Sequence, residues 1–291
     1  MLRDPSDLAP THVPTPERAV TLDPALEVTG SPATLGSSDA SQSDEPIQPA
    51  QGRWSRLRGA FGCLVNWVFR AAVAALLLCV VLVGAMRWVD PPASAFMLLH
   101  AHNVWRVGQT PVIYYRHQWL PWERIPLSVR LAAIAGEDQR FPFHMGFDLI
   151  EVRRAWTHYR RGGRLRGAST ITQQTAKNLF LWPGSGWGRK LGEIWFTLLM
   201  EVLWPKQRIL EVYLNIVQFS PSTYGIEAAS RHYFGHPAAE LTLEESALLI
   251  AALPAPGVYQ LDHPSERLRR RAAWILEQSA RLGGLGYLGR L

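Results

Sequence analysis

From Phe61 to Met86 the chain carries an apolar run broken only by Asn66 and Arg70. No other stretch constrains the fold as strongly. The uncharged part, Ala71–Met86, is 16 residues long, slightly short of a membrane span. Adding Leu64–Phe69, with Arg70 reaching back toward the headgroups, gives about 22 residues, enough to cross. A cleaved signal peptide is the rival reading. The long polar tail ahead of the run and the lack of a clear small-residue cleavage site weaken it. Arg53, Arg56 and Arg58 crowd the N-terminal side. A single-pass anchor over about 64–86 is therefore expected, within a flank and helix spanning 53–89. The N-terminus should be cytoplasmic and the C-terminal part outside.

Ahead of the anchor, residues 1–52 are rich in Pro, Ser, Asp and Thr, without apolar periodicity. They read as a disordered tail. Net charge is +6, which suits an anionic partner without choosing among nucleic acid, phospholipid and pyrophosphate. The two cysteines, Cys63 and Cys79, both lie in the apolar run. On one helix they stand about 24 Å apart and cannot pair. The rest of the chain has no thiolate for a disulfide or a metal.

Residues 90–291 read as one all-α domain. Asp90-Pro91-Pro92 ends the anchor, and a short helix is expected over Ala95–Val104. PVIYY (111–115) is the one candidate strand. Trp119 and Trp122 fit a membrane interface or a half-buried core equally well. Pro126 suits the first turn of a helix reaching Gly136. That helix ends in Glu137 and Asp138. A carboxylate at the end of an apolar helix is costly unless it has a partner or a task. Burial there raises its pKa, as a general acid or base near neutral pH requires.

A second amphipathic helix is expected over Ile150–Tyr159, carrying Arg153 and Arg154, followed by the basic, glycine-rich loop Arg160–Gly167. Thr170 and Gln173 then form a capping-box pattern that starts a helix near Ile171. On it Gln173 stacks with Lys177, and Gln174 with Asn178, a polar group that suits a sugar and an anionic phosphate or simply faces solvent. In Gly188–Trp204 the spacing of Leu191, Ile194, Leu198 and Val202 predicts a buried stripe. Glu193 there is a second candidate carboxylate, or an ordinary i,i+4 partner of Arg189. Further helices are expected over Lys206–Phe219, Tyr224–Tyr233, Leu243–Leu253 and Ser265–Leu282. Asn215 near the end of the first is placed to cap or bridge. Arg267, Arg269, Arg270 and Arg271 read as a solvated basic face, with anionic lipid as the alternative. No internal repeat, HExxH, phosphate loop or dinucleotide fingerprint is present, and the nine histidines show no ligand spacing.

Four motifs in order carry a resemblance: E-D-x-x-F-x-x-H-x-G at Glu137–Gly146, G-x-S-T-I-T-Q-Q at Gly167–Gln174, R-K-x-x-E at Arg189–Glu193 and K-x-x-I-L-x-x-Y-L-N at Lys206–Asn215. Together they resemble the peptidoglycan glycosyltransferases, the family of the glycan-polymerising domains of bifunctional penicillin-binding proteins. The likeness covers about residues 90–280 and is closest to the monofunctional, single-pass form. It implies a two-lobed, lysozyme-like domain that joins lipid II units outside the bacterial inner membrane. By that resemblance Glu137 is the general base for the acceptor 4-hydroxyl, which attacks the anomeric carbon of a chain held on undecaprenyl pyrophosphate, with inversion. Glu193 lies on the leaving-group side, where it holds a divalent ion or positions Arg189 and Lys190. Lys177, Gln173, Gln174 and Asn178 bind donor sugar and pyrophosphate. Ser169 and Thr170 shape that pocket, and Arg154 reaches the same phosphates. Asp138, Phe141, His144, Gly146 and Asn215 support the motifs. No cofactor is required, though Mg or Mn is compatible with Glu193. The implied partners are lipid II, the growing glycan, the inner membrane and cell-wall synthesis or division proteins, with no nucleic acid. The chain departs from the family at Ser185 and Gly192, where relatives often carry a basic residue.

Overall fold

A computed structural model describes residues 51–106, 115–163, 169–256, 259 and 261–291, with side chains from residue 61 onward. The disordered tail expected over residues 1–52 falls almost wholly outside these residues, as do 111–114 of the candidate strand and 164–168 of the basic loop. The chain divides after Leu57. Of the first unit only helical backbone from Gln51 is described. The remainder concerns the second unit, from Arg58 on.

Helix α1 (Gln51–Ala85) holds the apolar run. Its Phe61–Ala85 segment is long and apolar enough to cross a membrane and is almost entirely unpacked, as a lipid-facing helix must be. Its C-terminal end touches the domain. There Trp204 Nε1 donates to the Val83 carbonyl at 2.7 Å. Arg208 donates to the carbonyls of Met86 and Val89 at 2.9–3.0 Å and to Asp90 Oδ1 at 2.9 Å. One guanidinium thus satisfies carbonyls of the turn that follows the helix. The same guanidinium lies 5.4 Å from the Trp119 ring, and Arg130 covers Trp122 at 3.8 Å. Both tryptophans are half-buried and packed against the core.

The domain is helical: α2 (Ala95–Arg106), α3 (Leu127–Glu137), α4 (Leu149–Arg160), α5 (Ile171–Phe180), α6 (Trp187–Leu203), α7 (Lys206–Ile216), α8 (Ile226–Tyr233), α9 (Leu243–Ala252) and α10 (Glu266–Arg281). Helix α3 packs on α9 and α10, and α5 packs on α6 and α7. The core runs through both groups, from Ile134 and Ala135 to Tyr213 and Ile250. The two expected capping boxes form, at Thr170–Gln173 and Thr242–Glu245, and fix where α5 and α9 begin.

Three expectations need correction. The strand is not at 111–115 as far as described: β1 is Arg116–His117, and it pairs parallel with β3 (Thr223–Tyr224), which pairs antiparallel with β2 (Gln218–Ser220). Helix α7 consequently stops at Ile216, and α8 begins only after Gly225, whose φ of +80° makes the turn. A Cβ at Gly225 would stand 2.5 Å from the Asn215 carbonyl oxygen, so the turn admits no side chain. Third, the stripe expected inside α6 faces out. Leu191 is 65% exposed and Val202 74%, with Trp187, Trp195 and Leu198 beside them, while Glu193, Thr197 and Glu201 are buried.

Candidate active site

The inward polar row of α6 is the key to the site. Its burial is tolerated because every carboxylate on it has partners. Glu193 Oε2 accepts from Arg189 Nη1 at 2.8 Å, and Oε1 accepts from Lys190 Nζ. The i,i+4 pair anticipated from spacing is thus present, with Lys190 added to it. Glu201 Oε1 accepts from Thr172 Oγ1 at 2.5 Å and from Lys206 Nζ at 2.9 Å. Lys206 Nζ also donates to the His144 carbonyl and lies 4.5 Å from the Phe141 ring. That knot ties α5, α6 and α7 to the loop after α3. The spacing already puts Glu201 in one helical row with Glu193 and Thr197 but gives it no role, and nothing in the sequence singles out Thr172.

Glu137 closes α3, with a side chain only 11% exposed. Its two oxygens are held separately: Gln174 Nε2 donates to Oε2 at 3.0 Å and Arg271 Nη2 to Oε1 at 3.2 Å. Tyr213 OH lies 3.4 Å from Gln174 Oε1 and donates to it. Burial pushes the Glu137 carboxyl above the ordinary carboxylate range, and the Gln174 and Arg271 contacts oppose that rise. Arg271 was read as part of a solvated face and enters the site instead.

Asp138 does not share this role. Its Oδ2 accepts the Ile171 backbone N–H at 3.0 Å, and its carboxylate bonds His144 Nε2 at 2.9 and 3.1 Å. It pins the N-terminus of α5 to the end of α3. Phe141 is fully buried below. Gly146 has φ +78°, and a Cβ there would stand 2.4 Å from Thr197 Cγ2. Its carbonyl accepts from Thr170 Oγ1 at 2.6 Å. Three of the four motifs therefore meet at this loop through packing and hydrogen bonds.

The four polar side chains of α5 are divided. Gln173 Oε1 accepts the Thr170 backbone N–H at 3.0 Å and completes the cap, which largely occupies it. Gln174 turns to Glu137. Lys177 is largely buried, with Nζ 5.9 Å from the Phe96 ring. Burial lowers its pKa, and Glu193 and then Glu137 raise it in part against the neighbouring Arg189 and Lys190. Asn178 is buried. Asn215 lies elsewhere: its amide bonds the backbone N–H and carbonyl of Leu120 at 2.7 and 2.9 Å. It bridges the connector before α3.

A cleft of about 470 Å³ opens beside Glu137 and reaches Ser169, Thr170, Arg154 and Trp274. A second cavity of about 280 Å³ shares Asp148 and Ser169 with it and extends to Gln173 and Lys190. Arg154 is exposed and paired with Glu151 at 2.5 Å. Ser169 lines both cavities.

A family model described as Transglycosylase matches residues 107–280. The chain belongs to the transglycosylase family. Its match takes in all four motifs and every helix from α3 to α9. A protein of Stutzerimonas stutzeri strain A1501 is 48% identical over 214 residues, 74% of this chain and 88% of the relative. One of Pseudomonas aeruginosa PAO1 is 48% identical over 212 residues, 73% and 90%. One of Xanthomonas campestris pv. campestris strain B100 is 45% identical over 224 residues, 77% and 91%. All three are named biosynthetic peptidoglycan transglycosylase. The helical, lysozyme-like architecture expected of the family agrees with the domain described above.

No cofactor is established. Asp138, His144 and Asp148 bring ligand atoms within 4.8 Å of one another. The carboxylates of that trio already serve the Ile171, Ile150 and Glu151 N–H groups and, at Asp148, the Arg140 guanidinium. Both Glu193 oxygens face side-chain cations. At either place a divalent ion would share oxygens that already have partners.

Proposed function

We propose that the cleft beside Glu137 joins lipid II disaccharide units into glycan strands, with Glu137 as general base. The chain is a peptidoglycan glycosyltransferase of cell-wall synthesis. In the proposed step the ionised Glu137 takes the proton of the acceptor 4-hydroxyl. The oxygen forms a bond to the anomeric carbon of the donor, and the bond to pyrophosphate breaks, with its electron pair leaving on phosphate. Attack and departure on opposite faces invert the anomeric centre.

A buried carboxylate with a raised pKa, held by one donor on each oxygen at the lip of a cleft, carries this reading. Lys177, Arg189 and Lys190 supply positive charge for a leaving pyrophosphate, and fixed cations at a shielded site stabilise developing charge well. Glu193 holds Arg189 and Lys190 in place rather than acting on substrate. Gln173 shapes the pocket through the cap. Ser169, Thr170 and Arg154 line it. Asn178 is buried on α5. Gly192 has no basic side chain to offer, and a Cβ there would already stand 3.1 Å from Leu181 Cδ2.

The exposed apolar rows of α4 and α6, beside an anchor docked through Arg208, support a domain seated on lipid. The basic flank before the anchor supports a cytoplasmic N-terminus, an inner-membrane location and a periplasmic domain. The test is the product formed when the full chain in detergent is given labelled lipid II. Long glycan is the expected result. No polymer, with added glycan shortened, would make the cleft hydrolytic instead.

A further inference from the structure

Among the arginines at the start of α10, Arg271 alone is directed at the cleft carboxylate. Arg267, Arg269 and Arg270 are exposed, and the latter two pair with Glu266 at 3.6 and 3.3 Å. Helical register explains the difference. Leu268, Ala272 and Ile275 are buried, so the face of α10 containing position 271 turns toward α3. The approach is close because Gly136 has no side chain. A Cβ there would stand 2.9 Å from Ile250 Cγ2 and 3.0 Å from Ile275 Cδ1. The residue before Glu137 thus lets α9 and α10 close on the end of α3, and Arg271 arrives at Glu137 across 134 positions of sequence.

We propose that Arg271 is a positioning residue for Glu137: it orients the carboxylate through Oε1 and supplies the counter-charge that lets it stand ionised in a buried place. The proposal rests on the reading of Glu137 as the base. Geometry makes the division of labour plain. Gln174 fixes Oε2, and without Arg271 the other oxygen has no side-chain donor within hydrogen-bond reach among the described residues. The groups acting on Glu137 are Asp138 beside it, Gln174 and Lys177 from α5, Tyr213 from α7 and Arg271 from α10. Of these, Asp138 disfavours the charged form, and Arg271 is the cation in direct contact. A base must be ionised before the step and must accept a proton during it. The 3.2 Å contact, with Arg271 one-third exposed, favours the charged state without locking it.

The experiment is the pH dependence of lipid II polymerisation, as kcat/KM, by full-length wild type, Arg271→Gln, Arg271→Lys and Glu137→Gln. Removing the cation raises the Glu137 pKa. The acid limb should therefore move up by about one pH unit in Arg271→Gln. Loss should be about tenfold on that limb and small on the alkaline plateau, and Arg271→Lys should restore most of the wild-type profile. Arg271→Met, uncharged and of similar length, replaces the Gln variant if that one does not fold. An equal loss at every pH with an unmoved limb, not relieved by Lys, would overturn the positioning role and leave Glu137 as base. Full activity in Glu137→Gln would remove the base assignment itself and this proposal with it.

Discussion

Two carboxylates, Glu137 and Glu193, are largely buried in this domain, and they are built differently. Glu137 lies at a helix terminus, with one amide and one guanidinium brought from α5 and α10. Glu193 lies mid-helix, with both partners three and four residues before it on α6. The first is assembled by tertiary structure and keeps a raised pKa beside open space. The second is neutralised locally by two cations. A carboxylate that must exchange a proton needs the first arrangement, and one that must hold cations still needs the second. The difference separates their proposed roles more clearly than their shared burial would.

The comparison breaks most sharply at Glu137. Glu137→Gln removes the base, and polymerisation should fall by about 10² to 10⁴ in a labelled lipid II assay. Glu193→Gln should cost less in rate, about tenfold to a hundredfold, because Arg189 and Lys190 remain but lose their anchor. That variant should lose more stability, about 1–3 kcal/mol by urea unfolding, since two cations lose a buried partner and Lys190 is already half exposed. If Glu193→Gln proves as dead as Glu137→Gln while remaining folded, the division of roles fails.

The last predicted effect, on stability and not on chemistry, concerns the frame between them. Gly146→Ala imposes a positive φ on a residue with a Cβ and a 2.4 Å clash with Thr197. About 2 kcal/mol of destabilisation is expected by thermal or urea unfolding. An unchanged protein would mean that the loop joining α3, α5 and α6 is looser than its hydrogen bonds indicate.

The sequence was most legible where a contact is local. The Thr170–Gln173 cap, the Arg189–Glu193 pair and the position of Glu137 at a helix end all follow from spacing within one element. Arg271 was not legible, because nothing near it in sequence signals a partner on α3. Its one trace is Gly136, a small residue where a helix must be approached closely. The stripe of α6 failed for another reason. Periodicity shows that Leu191, Leu198 and Val202 share a face but not which solvent that face meets. A helix whose apolar side is exposed and whose carboxylates point inward inverts the rule for soluble proteins. The strands β2 and β3 were missed because two or three residues carry no readable alternation.

The sign of the Glu137 shift gives the most direct test. A carboxyl raised by burial must lose its proton before it can accept another, so activity should climb with pH through a value above the ordinary carboxylate range. The same shift has the opposite effect on folding. The contribution of Glu137 to stability is greatest below its unfolded pKa and declines as pH rises through the folded one. The measurement is kcat/KM for lipid II polymerisation against pH, in wild type and Glu137→Gln. The account predicts a wild-type acid limb above that range and a small, flat residual rate in the variant across the same interval. A variant that keeps the limb would place the base on another residue.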